Sequence, residues 1–218
     1  MKKFLVLGIL FLLPIIAYLF FASGVNHFAR LPILTEYVKD IAHLETTGDS
    51  TVTFENKISI VAFFGTDPDA LVGNTFNLDQ KILEKFAEFK DFQFVVVLPE
   101  DAKDRAQKFK KEFSGITNSD YWRFAYGTPE EVKEVFESFQ TNLQLDKNLQ
   151  TPSVFIIDKK RNLRGRNQDE DQGVVYGYNS SSVSELNNKM VDDVKVILAE
   201  YRLALKKYNK AEIQNDEK

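Results

Sequence analysis

The stretch "ISIVAFFGTDPDALVGN", residues 58–74, decides the fold of this chain. A run of β-branched and aromatic residues, Ile58–Phe64, stops at Gly65, and a Thr-Asp-Pro-Asp turn follows it. A helical pattern begins after the turn. A buried strand that bends sharply into a helix indicates an α/β protein, in which strands and helices alternate along the chain.

Apolar runs and helical spacings continue this alternation. Residues 92–98, "FQFVVVL", form an unbroken apolar run, which is typical of a strand buried on both faces of a sheet. The sequence Thr128-Pro129-Glu130-Glu131 predicts a helix start, because Thr128 can cap the helix and Glu131 can bond back to the cap. Further strands are predicted at 51–54, 121–126, 153–158 and 163–166. Further helices are predicted at 78–89 with Asn77 as the cap, at 102–113, and at 183–205 after a capping box of Ser182 and Glu185.

Strands that alternate with helices, followed by a hairpin and a terminal helix, predict a thioredoxin-like three-layer sandwich with a central mixed sheet. Thr151-Pro152 comes directly before the strand at 153–158, where thioredoxin-like folds carry a cis-proline that faces the active-site bend. The order of elements therefore favours a cis bond. The alternative is an ordinary trans proline at the start of a strand, where no N–H donor is needed.

Composition excludes several kinds of function. The formal net charge of −4 argues against nucleic-acid binding, which needs a basic surface. The chain has no cysteine, so disulfides, thiolate nucleophiles and cysteine-ligated metals are excluded. The two histidines, His27 and His43, precede the predicted fold, which leaves acid–base chemistry to carboxylates, tyrosines or lysines.

The N-terminus predicts a transmembrane helix. Lys2 and Lys3 precede an uncharged, mostly apolar run at 4–22. As a helix this run rises about 28 Å, at about 1.5 Å per residue, which nearly spans a bilayer core. N-terminal lysines favour a cytoplasmic N-terminus and a folded domain outside the cytoplasm, in the periplasm. The alternative is a signal peptide that is cleaved near the small residues at 22–24.

The patterns divide the chain into four segments. An anchor at 1–24 is followed by a stalk at 25–49, whose apolar residues have no regular spacing. The thioredoxin-like domain is expected at 50–206. A polar tail at 207–218 ends the chain and is expected to fray.

The chain resembles the Sco/SenC family, which are membrane-anchored thioredoxin-like proteins that help deliver copper to respiratory oxidases. The resemblance covers roughly residues 51–201 and rests on the order and spacing of its pieces. These pieces are the bend "ISIVAFFGTDPDALVGN", the strand and acidic turn "FQFVVVLPED", the segment "YWRFAYGTPEEVKEVFESF", the strand and turn "VFIIDKKRNL", and "GVVYGYNSSSVSELNNKMVDDVKVIL".

The family's copper site is not carried over to this chain. In the family, two cysteines at the bend and one distant histidine bind copper. The bend of this chain offers instead Thr66, Asp67, Pro68 and Asp69. Near the expected histidine position, just before "VFIID", stand Gln150, Thr151 and Pro152. Because soft thiolates select Cu(I) and carboxylates cannot replace them for that ion, we predict neither a copper site nor another cofactor.

Two kinds of function remain open. The first is a non-enzymatic, redox-inactive binding or assembly module, which the resemblance links to respiratory oxidase assembly. Its protein partner is expected at the former active-site face, formed by Thr66, Asp67, Pro68, Asp69, Thr151 and Pro152. The second is an enzyme or metal carrier that uses carboxylates at the bend, such as Asp67 and Asp69 with Glu100 or Asp101. Turn chemistry explains these carboxylates more simply.

Two further motifs carry less information. The acidic run "NQDEDQG", residues 167–173, is interpreted as a solvated loop, with calcium binding as the alternative. Asn179-Ser180-Ser181 fits a glycosylation acceptor, although a loop before a capped helix explains it more simply. The single tryptophan, Trp122, is expected to pack against the sheet.

Overall fold

The computed structural model describes residues 30–46, 51–66, 68–86, 88–113 and 121–216, together with Lys3, residues 10–16 and Tyr18. For residues 68–71, 109, 112–113 and 205–216 it describes the backbone only. Most of the predicted anchor at 1–24 therefore lies outside the described residues. Among the helices that are described, none combines the length and the hydropathy that a membrane span requires.

Most strands of the described chain belong to one mixed sheet. Their order is β1-β7-β6-β3-β4-β5-β2, and β10 also pairs with β6. The strands of this sheet are β1 Ile33–Thr35, β2 Glu45–Thr46, β3 Ile58–Phe64, β4 Phe92–Pro99, β5 Trp122–Gly127, β6 Gln150–Ile157, β7 Leu163–Arg164 and β10 Tyr178–Asn179. A separate hairpin consists of β8 Arg166–Asp169 and β9 Gly173–Val175.

The centre of the sheet confirms the predicted buried strands. β3, β4 and β5 run parallel, and β6 runs antiparallel to β3. All residues of β3 and β4 are buried. Ile60 and Ala62 pack into the apolar cluster on one face, whereas Val61 and Phe63 pack into the cluster on the other. Both faces are covered, and that is why each strand is a continuous apolar run in the sequence.

Helices cover both faces of this sheet. The helices in chain order are α1 Pro68–Leu78, α2 Glu84–Phe86, α3 Lys103–Phe113, α4 Pro129–Glu137, α5 Val183–Glu185 and α6 Val191–Asp216. A π-helical turn, Asp79–Leu83, joins α1 to α2, and a second, Leu186–Met190, joins α5 to α6. The predicted capping box of α4 is confirmed, because Thr128 Oγ1 accepts from Glu131 N and the Glu131 carboxylate accepts from Thr128 N.

The predicted helix start at Asn77 is wrong. The helix begins at Pro68, where proline is tolerated because the first helical residue needs no N–H partner. Asn77 lies inside α1, and its amide donates to the carbonyl oxygen of Ser180 at 3.0 Å. The π-helical turn begins directly after Leu78. The apolar residues from Leu78 onwards have helical spacing, which is why the sequence suggested that a separate helix starts there.

Residues 31–46 are part of the folded domain, although the sequence placed them in a stalk. β1 pairs with β7 and β2 pairs with β5, so this segment supplies both outer strands of the sheet. Its apolar residues Leu31, Val38, Ile41 and Leu44 are buried. They have no helical or alternating period because the segment wraps around the sheet with little regular structure.

The strand predicted at 51–54 is also wrong, although two of its residues, Val52 and Phe54, are buried. The carboxylate of Asp40 accepts from Phe54 N at 2.8 Å and from Thr53 Oγ1 at 2.6 Å. A side chain therefore takes the place of a neighbouring strand as the hydrogen-bond partner of this segment.

Candidate partner-binding site at the strand-to-helix bend

The bend after β3 is a tight junction with the chain that precedes β6. Gly65 has a φ of +56°, a conformation that favours glycine. A Cβ atom on Gly65 would lie 2.1 Å from the carbonyl oxygen of Asn148 and 2.9 Å from Cβ of Gln150. Glycine is therefore required here both for its backbone conformation and for the close approach of a second chain segment.

The bend is also held from the side of α3. The guanidinium of Arg105 donates to the carbonyl oxygen of Thr66 at 2.7 Å. Thr66 itself is half-buried. Asp67 lies outside the described residues, and for Pro68 and Asp69 the structure gives the helical backbone of the first turn of α1.

Strand pairing brings the second half of the predicted site beside the bend. Phe64 pairs with Gln150 and Ala62 with Val154, and the register shifts between these two pairs. Thr151 and Pro152 lie on β6 within this irregular stretch. β6 returns antiparallel along β3, and this pairing brings Thr151 and Pro152 near the end of the strand that leads into the bend.

The cis bond expected before Pro152 is wrong. No peptide bond in the described residues is cis, so Thr151 and Pro152 are joined in the trans form. Pro152 stands at the register shift between β3 and β6, where a residue without an N–H donor is tolerated. The alternative that the sequence left open, a trans proline at the start of a strand, is the correct one.

A hydrogen-bonded cluster that the sequence analysis missed ties three segments together at this place. The carbonyl oxygen of Pro152 accepts from both the backbone N and the Oγ of Ser180, at 2.8 and 2.6 Å. Ser181 Oγ donates to Asn74 Oδ1 at 2.9 Å, and Asn77 donates to the carbonyl oxygen of Ser180. The segment at 179–181 therefore joins β6 to α1. Sequence separations of up to 107 residues between partners left no local signal.

Gln150 stands near the position where the family has its histidine. Its side chain is half-buried, and its Oε1 atom is buried with no hydrogen-bond donor. The preceding turn is fixed by Asp146, whose carboxylate accepts from the backbone N atoms of Asn148 and Gln150. An amide at this position can accept and donate hydrogen bonds, but it cannot replace an imidazole as a proton acceptor near neutral pH.

Metal-ligating side chains do not converge at the bend in the part of the chain that is described. No group of three His, Asp or Glu residues there lies close enough to hold a metal ion. Glu100 and Asp101 are exposed at the turn before α3. His43 is exposed in the segment that leads to β2, and His27 lies outside the described residues.

The acidic run at 167–173 spans the turn of the β8–β9 hairpin, and all of its residues except Asp169 are exposed, as the expected solvated loop would be. Asp169 Oδ1 accepts from Lys189 Nζ at 2.6 Å, and Asp169 Oδ2 lies 3.2 Å from Arg166 Nη1. The hydrogen bond from Lys189 lowers the pKa of Asp169 to about 2. This carboxylate therefore forms ion pairs with the π-helical turn before α6 and with Arg166 of its own hairpin.

No protein-family model matches this sequence, and no curated protein matches it. Solved structures, however, share its fold. BsSco, a member of the Sco family of cytochrome c oxidase assembly proteins, is similar with a TM-score of 0.52 and 15% identity, over 76% of this chain and 95% of its own. ScoI of Arabidopsis thaliana, solved with copper bound, is similar with a TM-score of 0.50 and 18% identity, over 72% of this chain and 98% of its own.

These similarities show that the fold is thioredoxin-like, as the order of elements predicted. The structural neighbours include Sco family proteins, so the resemblance drawn from the sequence is confirmed for the fold. The absence of cysteine agrees with a divergent relative of that fold that has lost the thiols.

Proposed function

We propose that this protein is a Sco-like binding module that assists the assembly of a cytochrome oxidase or another envelope complex without redox, Cu(I) or enzymatic chemistry of its own. One observation carries the proposal. The close junction of Gly65 with Asn148 and Gln150 is built in full, yet the residues around it supply hydroxyl, carboxyl and amide groups instead of thiols and an imidazole. A junction that has this geometry but lacks thiols and an imidazole supports a binding role more than a redox or Cu(I) role.

The partner surface is the bend together with the neighbouring part of β6. Pro152 is exposed on β6, and Thr66 is half-buried in the bend, two residues after β3 ends. β10 pairs with Ser153 and Val154, and Ser180 occupies the carbonyl oxygen of Pro152. Because these backbone groups already have partners, side chains rather than an added strand make the contact in this proposal.

A membrane anchor completes the proposal. Lys2 and Lys3 before the uncharged run at 4–22 support a helix with a cytoplasmic N-terminus and a periplasmic domain. Protease added to intact spheroplasts should digest the domain, and fractionation should leave the full-length chain in the membrane. Release of a shortened soluble chain would show cleavage instead.

Charge reversal tests the partner surface. The double variant Asp67→Lys and Asp69→Lys, in the full chain, should reduce crosslinked capture of the partner from native membranes several-fold. The proposal places both side chains at the surface, so the melting temperature should stay near that of the wild type, because surface substitutions usually change stability by less than about 0.5 kcal/mol. Capture is quantified for each protein that co-purifies with the wild type, with oxidase subunits among those sought.

The matched control is the double variant Glu88→Lys and Glu170→Lys, which makes the same charge change at two exposed positions away from the bend. It should leave capture unchanged. Equal capture by wild type and by the bend variant, with both proteins folded, would remove the bend from the interface.

A further inference from the structure

The chain joins the folded domain at the outer edge of the sheet, beside β1. β1 is the last strand in the sheet order, and within the described chain it pairs with a strand on one side only. Leu31, just before β1, is fixed through both of its backbone groups. Its N atom donates to Glu200 Oε1 at 2.7 Å, and its carbonyl oxygen accepts from Arg164 Nε at 2.8 Å. The point at which the chain reaches the domain is therefore fixed.

The connection from the proposed anchor to this edge is short. The uncharged run ends at residue 22, and Arg30 follows eight residues later, exposed beside the buried Leu31. Eight residues reach at most about 29 Å, at about 3.6 Å per residue, whatever conformation they take. A folded domain of about 170 residues is about 40 Å across. The connection is therefore shorter than the domain, and it keeps the β1 edge on the side that faces the bilayer.

An exposed tyrosine stands just after β1 in an unfavourable backbone conformation. Tyr37 has a φ of +53°, which is rare for a bulky side chain, and it is 67% exposed. Two hydrogen bonds to the β6–β7 turn fix this conformation. Tyr37 N donates to Asn162 Oδ1 at 3.2 Å, and Val38 N donates to the carbonyl oxygen of Arg161 at 2.8 Å. The fold thus holds an aromatic side chain outwards at a cost in backbone strain.

A second apolar side chain is exposed on the same edge. Ile33 lies on β1 opposite Arg164 and is 48% exposed. Its neighbours on β1 turn inwards, since Leu34 packs against the core and Thr35 Oγ1 donates to the carbonyl oxygen of Phe139. Ile33 and the tyrosine therefore give this edge an exposed apolar character along its length.

Basic side chains accompany these apolar groups. Arg30 precedes β1, and Lys160 and Arg161 lie in the turn that holds Tyr37. The side chains of these three basic residues have no carboxylate partner in the part of the chain that is described. One carboxylate, that of Glu36, is exposed beside them. This edge therefore carries more positive than negative charge, in a chain whose net charge is −4.

We propose that the β1 edge, formed by Arg30, Ile33, Tyr37, Lys160 and Arg161, lies on the surface of the bilayer that holds the anchor. Tyrosine is enriched at membrane–water interfaces, where its ring enters the apolar boundary and its hydroxyl stays hydrated. Lysine and arginine reach anionic headgroups from such a position. The inference rests on the proposed anchor, and it assigns the face of the domain that contacts lipid. A bilayer fits this edge better than a protein partner, because the short connection brings lipid here in every complex.

This orientation sets the height of the bend above the membrane. β3 is three strand spacings from β1 in the sheet order, which is about 14 Å at about 4.8 Å for each spacing. The bend after β3 therefore lies close to the bilayer surface. A partner that is itself embedded in the membrane is within reach of the proposed partner surface.

Lipid contact can be measured from single cysteines, because the chain has none of its own. The full chains Glu36→Cys and Asp104→Cys are each labelled with the fluorophore NBD and placed in nanodiscs of phosphatidylcholine and phosphatidylglycerol. A nitroxide on the lipid headgroups should quench the label at residue 36 several-fold more than the label at residue 104. Asp104 is exposed at the start of α3, where Lys103 pairs with Glu45 on the opposite edge of the sheet.

Tyr37→Gly separates lipid contact from stability. Glycine adopts a positive φ without strain, so the melting temperature should not fall, whereas quenching at residue 36 should fall at least twofold. A lower melting temperature with unchanged quenching would assign Tyr37 to the fold and contradict the inference.

Charge reversal tests the basic side chains. The double variant Arg30→Glu and Lys160→Glu should lower quenching at residue 36 to the level found in nanodiscs of phosphatidylcholine alone. The matched control, Lys85→Glu and Arg123→Glu, makes the same charge change at exposed positions on α2 and β5 and should leave quenching unchanged. Equal effects of the two double variants would contradict a contact between the β1 edge and anionic headgroups.

Failure of the anchor and failure of the lipid contact give different results. A full chain that does not co-purify with the nanodiscs would contradict both. A chain that is retained but is quenched equally at residues 36 and 104, or at neither, would leave the anchor in place and overturn the contact of the β1 edge with lipid.

Discussion

Two groups of buried polar side chains, one around Arg164 and one around Asp79, differ in how fully they are hydrogen-bonded. Around Arg164, at the hairpin side, buried charges are fully bonded. Its guanidinium donates to Asp158 Oδ2 at 2.9 Å, to Glu200 Oε2 at 2.7 Å and to the carbonyl oxygen of Leu31. Glu200 also accepts from Leu31 N. One cluster thereby joins the entry of the chain, the β6–β7 hairpin and the last helix.

In the π-helical turn after α1, a buried carboxylate lacks this support. Asp79, in the π-helical turn after α1, is 6% exposed, and its Oδ1 atom has no hydrogen-bond donor. Trp122 beside it is buried, and its indole N–H completes no hydrogen bond. Burial raises the pKa of Asp79 above its ordinary range, and the nearby Trp122 indole offsets part of this rise. The contrast indicates that the Arg164 cluster stabilises the fold, whereas the turn after α1 holds a buried carboxylate whose Oδ1 atom has no donor.

The largest effect should come from breaking the Arg164 cluster. Arg164→Met leaves Asp158 and Glu200 without their common partner, and these side chains are only 2% and 16% exposed. Removal of one partner from a buried ion pair usually costs about 3–5 kcal/mol. Urea unfolding of the full chain at neutral pH should show a loss of this size.

Arg202→Met is the matched control for the Arg164 variant, because Arg202 is exposed on the same helix layer. It should change the free energy of unfolding by less than about 0.5 kcal/mol. A comparably small loss of unfolding free energy in the Arg164 variant would mean that the Arg164 cluster does not stabilise the fold.

The next effect concerns the bend itself. Gly65→Ala forces a β-carbon into a positive-φ site, which costs about 1–3 kcal/mol, and it also presses that carbon against Asn148. Gly173→Ala is the control, because Gly173 has a φ of +71° and open space around the added carbon. Urea unfolding should show a clearly larger loss for Gly65→Ala. Equal losses would mean that the added carbon at position 65 meets no steric obstacle from Asn148 beyond the strain of its positive φ.

The predictions that were confirmed rest on signals within a few neighbouring residues, whereas those that were wrong depend on contacts between residues far apart in the sequence. β3 and β4 were predictable because each is a continuous apolar run, and α4 was predictable because its cap and its bonding partner are three residues apart. Residues 31–46 were not recognised as core, because their burial depends on a sheet edge formed far away in sequence.

The site shows the same division. Glycine at position 65 and the absence of thiols can be seen in the sequence alone. The hydrogen bonds from Ser180 to Pro152, the unsatisfied Oδ1 atom of Asp79 and the exposure of Phe76 cannot be seen there, because they depend on which side of each element faces which neighbour. The local sequence is compatible with Asn77 as a helix cap, but Asn77 lies inside α1 and donates instead to the carbonyl oxygen of Ser180.

A smaller effect of opposite sign is expected at Asp79. Because its pKa is raised in the folded state, the ionised carboxylate destabilises the fold, and this penalty develops as the pH rises through the folded-state pKa. Asp79→Asn should therefore stabilise the full chain by about 1 kcal/mol near neutral pH, which is the low end of the cost of an unsatisfied buried polar group. The gain should shrink as the pH falls towards 3.8, the ordinary pKa of the group.

Urea midpoints of wild type and Asp79→Asn between pH 4 and pH 8 measure this difference. Asp192→Asn serves as the control, because Asp192 is an exposed partner of Lys195 with a lowered pKa, so its removal should not stabilise the chain. If Asp79→Asn is less stable than the wild type at neutral pH, the carboxylate of Asp79 is well bonded. Asp79 would then not differ from the Arg164 cluster in the way described above.

The central claim is that the bend retains its scaffold without the chemistry of its structural neighbours. A competition titration with a chromophoric Cu(I) chelator, under anaerobic and reducing conditions and on the full chain in detergent, tests it most directly. The chain has no thiol, and thiolates are the ligands that select Cu(I). The account predicts that the chelator keeps all of its copper at one equivalent of protein. Stoichiometric transfer of Cu(I) to the protein would contradict it.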